Sequence, residues 1–248
     1  MRARRFLATS DSEARVQGSA DARGPILSTD HVTQPGHEAH AGHSARATLI
    51  RKMIMRDPAE PHRAATPLEL LFDLCFVVAI AQGAAQLHHA LAEAHVAHGL
   101  IGYFTVFFAI WWAWMNLTWF ASAFDVDDVP YRLLVLGQIA GVLVLAAGVP
   151  RAFEAGDFGV ITAGFAIMRV PLIALWLRAA RSDSKWRKTA RRYALGVGLC
   201  QVGWIALLLA PASLRLYGFV ALALAEISVP LWAERAGATA WHPHHIAE

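Results

Sequence analysis

From Pro67 onward the chain is a succession of six continuously apolar stretches, at approximately residues 68–91, 99–121, 131–150, 157–178, 190–210 and 213–232. Each is close to the roughly 20 residues that an α-helix needs to cross about 30 Å of hydrocarbon at 1.5 Å per residue. A transmembrane β-strand would show apolar and polar residues alternating over about ten positions, and these runs show no such alternation. Helices satisfy every backbone N–H and C=O within one segment, so they are the solution that lipid allows. The sequence therefore predicts an all-α fold, a polytopic transmembrane helix bundle of about six spans. Composition agrees: 56% of residues are hydrophobic and 17% are charged, against about 25% charged in soluble domains.

Orientation follows from the basic residues. Ten of the twenty-two Lys and Arg precede Pro67, and seven more lie between Arg178 and Arg192. With the N-terminus inside, the cytoplasmic side carries Arg51, Lys52, Arg56, Arg63 and the second cluster, while Arg151 and Arg215 fall on the other side. That asymmetry predicts N-in/C-in topology in the inner membrane of a bacterial cell. Basic patches beside spans meet anionic headgroups, so the lipid bilayer is the expected partner and nucleic acid is not. The acidic loop Asp125, Asp127, Asp128 carries little weight for orientation.

Residues 1–52 form a polar tail rich in Ser, Gly, Asp, His and Ala, with too little apolar surface to offset the entropy of ordering. The transmembrane domain is expected over 53–248, and Met53 or Met55 would serve as an alternative start. The residues behind Arg2, Arg4 and Arg5 lack the apolar core of a signal peptide. Cys75 and Cys200 stand alone in apolar stretches, without the spacing of a disulfide framework or a zinc knuckle.

Ionisable side chains inside spans are costly, roughly 2.5–3.5 kcal/mol for Asp or Arg at a helix centre even on insertion scales, and so mark function or pairing. Glu69 and Asp73 are four apart in the first stretch and share a helix face. Arg169 lies near the middle of the fourth stretch, and Glu226 lies past the middle of the sixth. Either an Asp73–Arg169 or a Glu226–Arg169 bridge would neutralise the pair; alternatively a carboxylate lines a hydrated cation or proton path. Gln82, Asn116, Gln138 and Gln201 are expected to make the bundle interior polar. With Gln82 half a turn out of phase with Asp73, the first helix is expected to be surrounded by protein or water. Trp111, Trp112 and Trp114 fall mid-span, where they pack helices or line a cavity, whereas Trp119, Trp232 and Trp241 suit the interfaces. Gly137-x-x-x-Gly141 and the glycines Gly196, Gly198 and Gly203 predict close helix approach.

Twelve histidines do not compose a metal site. His37-Glu38-Ala39-His40 lacks the spacing of a zinc-protease helix, and His88, His89, His95 and His98 merely crowd one predicted outer end. Phosphate loops, nucleophile elbows and dinucleotide fingerprints are absent from the sequence, so neither an enzyme nor a cofactor is expected.

The run from Arg56 through His62-Arg63-Ala64-Ala65-Thr66-Pro67-Leu68-Glu69-Leu70-Leu71-Phe72-Asp73-Leu74-Cys75-Phe76 resembles the low temperature requirement protein A family of bacterial membrane proteins. The resemblance continues through Trp111-Trp112-Ala113-Trp114-Met115-Asn116, Phe124-Asp125-Val126-Asp127-Asp128-Val129-Pro130, Trp232-Ala233-Glu234-Arg235 and Trp241-His242-Pro243-His244-His245-Ile246-Ala247-Glu248. It implies a role in growth at low temperature without a defined molecular activity. Family members look about 400 residues long with a second membrane half, so a homodimer or a missing second half is expected to complete any site built between halves. Leu71-Phe72-Asp73 also looks distantly like the Phe-Ser-Asp helix of a potassium-channel family, without its serine. Two readings stand: a transport protein for a monovalent cation or proton, with Asp73 and Glu226 facing the interior; or a non-transporting sensor, adaptation factor or assembly protein whose buried charges are paired and static.

Overall fold

The computed structural model describes residues 51–55 and 66–237, with Asp125 described by its backbone alone. Among these residues six helices follow one another: α1 (Pro67–Ala92), α2 (Val96–Ala123), α3 (Val129–Ala155), α4 (Gly159–Ser182), α5 (Arg187–Leu208) and α6 (Ala212–Glu234). The helix-bundle architecture expected from the apolar stretches is what forms. One addition to it is a two-residue antiparallel pairing of β1 (Ile54–Met55) with β2 (Phe124–Asp125), in the register Ile54↔Asp125 and Met55↔Phe124.

Local sequence sets the helix ends. Thr66 caps α1 by accepting from the Glu69 N–H, and Glu69 returns the bond to the Thr66 N–H, with Pro67 just inside the start. Asp128 caps α3 by accepting from the Tyr131 N–H. The third stretch was expected to end at Pro150, yet α3 runs through it to Ala155 and stops at Gly156, whose φ of 62° suits a residue without a Cβ. Buried Val149, Ala152 and Phe153 hold the extra turn despite the N–H that proline lacks.

Glycines decide how tightly the helices meet. A methyl group on Gly141 of α3 would lie 2.6 Å from Met168 Cγ and 2.8 Å from the Gly164 carbonyl of α4, and one on Gly148 would lie 2.8 Å from the Ile161 nitrogen. The α3–α4 pair is therefore the backbone-close centre of the bundle. Gly196 and Gly203 of α5 admit Val229 and Leu222 of α6 in the same manner. Helix α1 packs on α2 and α3, and α5 lies between α4 and α6.

Five of the helices are long and apolar enough to cross a membrane: α1, α2, α3, α4 and α6. The sixth span expected at 190–210 is not among them. Helix α5 opens on Arg187, Lys188, Arg191 and Arg192 and ends at Leu208, so its apolar part is short. It nonetheless has 22 residues, about 33 Å of helix.

The chain gathers its basic segments at one end of the bundle. The Met53 N–H donates to Ser182 Oγ at the end of α4 (3.4 Å), and the Arg51 N–H donates to Asp128 Oδ2 (2.8 Å). Arg178 donates to both Asp128 oxygens and to the Arg51 carbonyl. Thr189 Oγ1 donates to the Gly237 carbonyl (2.9 Å) and Tyr193 to Glu234 (2.8 Å), bringing the end of α6 to the same place. Arg51 and Lys52, assigned to the tail by composition, thus flank a segment whose Met53 is buried against the bundle.

Candidate functional site

Glu226, on α6, and Arg169, on α4, are 1% and 2% exposed and meet at 3.0 Å, Arg169 Nη2 donating to Glu226 Oε1. Two indole N–H groups complete the carboxylate's shell: Trp204 of α5 donates to Oε1 at 3.1 Å and Trp112 of α2 donates to Oε2 at 2.9 Å. A buried ion pair survives only when its remaining lone pairs and protons find partners, and Glu226 meets that condition with three donors. Arg169 meets it only in part. Its guanidinium carbon lies 4.3 Å from the centre of the Phe165 ring, while its Nε and Nη1 have no hydrogen-bond partner among the described residues.

Of the two bridges that the sequence left open, the Glu226–Arg169 pair is the one that forms. Asp73 is half-buried and accepts instead from Trp114 Nε1 at 2.7 Å. Trp112 and Trp114, two residues apart on α2, thus reach carboxylates on two different helices, α6 and α1. Glu69 belongs to the α1 cap rather than to this network, because its place in the first turn brings it to the Thr66 N–H.

The amides divide. Asn116, Gln138 and Gln201 are buried. Asn116 Nδ2 donates within its own helix to the Trp112 carbonyl at 2.6 Å, whereas Gln138 Nε2 and both polar atoms of the Gln201 side chain have no partner among the described residues. Gln82 is exposed, contrary to its expected place in the interior, because α1 buries the face bearing Phe72, Phe76, Ala79 and Gly83 and turns Gln82 away. Within the single chain α1 is an edge helix whose Leu70, Leu74 and Val77 are exposed.

A cavity of about 570 Å³ opens at the other end of the bundle, opposite the basic segments, between the first half of α2, the start of α4, the end of α5 and the start of α6. Its lining includes Phe165 and Trp204. The same two rings contact the ion pair, Phe165 facing the Arg169 guanidinium and Trp204 donating to Glu226.

At the opposite end, Asp128 is fully enclosed. Burial pushes its pKa up, but hydrogen bonds from Arg178 and from the Arg51 and Tyr131 N–H groups outweigh that and hold it at about 2. His88, His89, His95 and His98 are exposed; His89 and His95 flank Glu93 at 3.6 and 3.7 Å, and His98 Nε2 lies 3.0 Å from the Phe153 carbonyl. His37, His40, His43, Trp241, His242, His244 and His245 lie outside the described residues. Cys75 and Cys200 are free thiols, both buried.

Sequence reasoning missed Trp204 and Phe165, and it gave no structural role to Asp128 and Arg178. The signal for Trp204 was present: an indole N–H inside an apolar stretch needs an acceptor, and carboxylates are the strongest acceptors in the bundle. Asp128 two residues before Pro130 was legible as a helix cap, but its Arg178 partner is 50 residues away.

Part of the chain is 30% identical, over 101 residues, to an uncharacterized protein of Rhizobium meliloti (strain 1021). The match covers 41% of this chain and 24% of that protein, so the aligned part spans about a quarter of the relative's length. No solved structure matches the chain. The model of the bacterial low temperature requirement A protein (LtrA) family matches residues 64–248, a stretch that contains the six described helices, the three tryptophan–carboxylate contacts and the buried ion pair. With that match and its long apolar helices, the chain belongs to the LtrA family of multi-pass membrane proteins.

Proposed function

We propose that this protein is a transporter, not an enzyme, in the bacterial inner membrane, and that it moves a monovalent cation or proton in support of growth at low temperature. Asp73 and Glu226 supply the carboxylates of the path, and Arg169 sets their charge balance. The observation that carries this reading is the pair of tryptophan N–H bonds from one helix, Trp112 to Glu226 and Trp114 to Asp73, which ties two carboxylates to the same helix within the apolar interior. The two differ in what they can still accept. Among the described residues Glu226 receives three donors, whereas half-buried Asp73 receives one and keeps lone pairs for a cation or a proton. Asp73 is therefore the working group and Glu226 the fixed counter-ion. A second copy of this chain, or a further membrane half, completes the path against the exposed face of α1. Exposed Gln82 supports that part, because an amide facing lipid gains from a partner helix.

The test is ion flux in liposomes containing the purified chain, with potassium, sodium and proton gradients applied separately. Flux that disappears in folded Asp73→Asn supports the proposal. Equal flux in the wild type and Asp73→Asn removes Asp73 from it, and no flux under any gradient removes transport. One observation favours a second, non-transporting reading: the saturated shell of Glu226 suits a static pair that holds α4, α5 and α6 together, as a sensor or assembly protein would need. A large stability loss in Glu226→Gln with wild-type absence of flux is the outcome that reading expects.

A further inference from the structure

The cavity opposite the basic end has two chemically distinct zones. Its walls are mostly hydrocarbon, from side chains such as Ile101, Val106, Leu207, Leu216 and Phe219, with Phe165 and Trp204 lining it farther along α4 and α5 from this end of the bundle; Thr105, also in the lining, donates its hydroxyl to the Ile101 carbonyl of its own helix. Polar groups lie at its mouth: His98, Asp157 and Arg215. The charges there do not balance. Asp157 is occupied, one oxygen pairing with Arg151 at 2.9 Å and the other accepting from the Gly159 N–H at 2.9 Å. Exposed Arg215 donates through Nε to the Ala210 carbonyl at 3.0 Å and has no carboxylate partner among the described residues. The mouth therefore offers a guanidinium with unused Nη donors, set at the start of a membrane-crossing helix where lipid headgroups lie.

Apolar cavities do not hold ordered water, which needs two to four polar partners. In a bilayer the alternative occupant is hydrocarbon, and a volume of about 570 Å³ falls within the ~300–1,000 Å³ range of small-molecule sites. A mostly apolar pocket beside a guanidinium at headgroup level, without a carboxylate partner among the described residues, matches a molecule with one acyl chain and an oxyanion head. We infer that the cavity binds a single-chain anionic amphiphile from the surrounding membrane leaflet, its tail running down to Phe165 and Trp204 and its carboxylate or phosphate paired with Arg215. The site is independent of the ion path proposed above and stands whether or not the chain conducts. It does touch the same machinery, because the tail would end on the two rings that contact Arg169 and Glu226.

Trp204 makes binding readable. The full chain in nanodiscs of zwitterionic lipid would be titrated with palmitate brominated near the chain end, which quenches a nearby indole. Brominated hexadecanol and a brominated hexadecyl quaternary ammonium serve as neutral and cationic comparisons, and a brominated lysophosphatidic acid distinguishes a phosphate head from a carboxylate. The site predicts saturable quenching by the anionic amphiphiles, lost when Trp204→Phe removes the reporter. Arg215→Gln, at an exposed position, should weaken binding about three- to tenfold for anionic heads and leave the neutral one unchanged. Ala109→Phe, or Leu216→Trp if the first does not fold, should abolish saturation by filling the cavity. Quenching that rises without saturation and survives the filling variants would be ordinary partition into the bilayer, and would overturn the site. Equal binding of the cationic amphiphile would overturn the anionic assignment.

Discussion

At the residue scale, the centre of this molecule is a problem in hydrogen-bond accounting. Two charges removed from water lose several kcal/mol of hydration each, and their attraction offsets this only with good geometry and filled valences. Glu226 reaches that state through Arg169, Trp112 and Trp204. Its removal should therefore be felt by its partner. Glu226→Gln is expected to destabilise the bundle by about 3–5 kcal/mol, because Arg169 is left buried and charged. Adding Arg169→Met should recover more than about 1 kcal/mol of that loss, since the double variant contains no stranded charge. Thermal unfolding of the four proteins in one detergent checks both; strictly additive losses would show that the pair is not coupled. The sequence showed that the carboxylates and Arg169 were too costly to leave unpaired, but not which pair forms. That choice depends on helix neighbours, since α4, α5 and α6 are packed in series and α1 lies on the other side of the bundle.

At the scale of elements, the ends of helices carry as much information as their middles. The acidic loop between α2 and α3 weighs little in orientation rules, yet Asp128 joins three parts of the chain: it caps α3, accepts from Arg178 of α4 and accepts from the Arg51 N–H ahead of β1. A carboxylate held at a pKa of about 2, against 3.8 as its ordinary value, contributes stability that is complete above about pH 4. That contribution is lost as pH falls from about 4 through 2, where the native carboxylate takes up its proton. The wild type should thus lose about 2 kcal/mol across that window, and Asp128→Asn should show a flatter profile there, measured by denaturant unfolding at each pH. The apolar bodies of the helices were legible because 20 apolar residues in lipid have few alternatives. The strand pairing of Ile54 and Met55 with Phe124 and Asp125 was not, because two residues carry no periodic pattern and the partners lie 71 and 69 residues apart.

At the scale of the whole molecule, the arrangement of ends depends on α5. Its opening turns are basic and leave it a shorter apolar stretch than its neighbours have, yet it lies alongside α4 and α6 with Gly196 and Gly203 in contact with α6. Packing between two spans lets a less apolar helix cross, since much of its surface meets protein rather than lipid. If α5 crosses, Ser184→Cys and Ser213→Cys should label with a membrane-impermeant thiol reagent from opposite faces of oriented vesicles, with Ser184→Cys on the cytoplasmic face. Labelling of both from one face would make α5 a surface helix and reverse the direction of α6. The native Cys75 and Cys200 are buried, so the background should be low.

The sequence by itself determined the membrane as solvent, the helix as the only element that crosses it, the number and approximate limits of the helices, and which side chains are too costly to ignore. Each of these follows from local apolar length and from the price of unpaired polar groups in hydrocarbon. Only the tertiary structure decided that Arg169 meets Glu226 rather than Asp73, that Gln82 faces outward, that Trp112 and Trp204 serve as donors, and that a cavity opens above them. These depend on which helix faces which, and that is set by a few close backbone contacts at Gly141, Gly148, Gly164, Gly196 and Gly203, whose partners cannot be read from spacing along the chain.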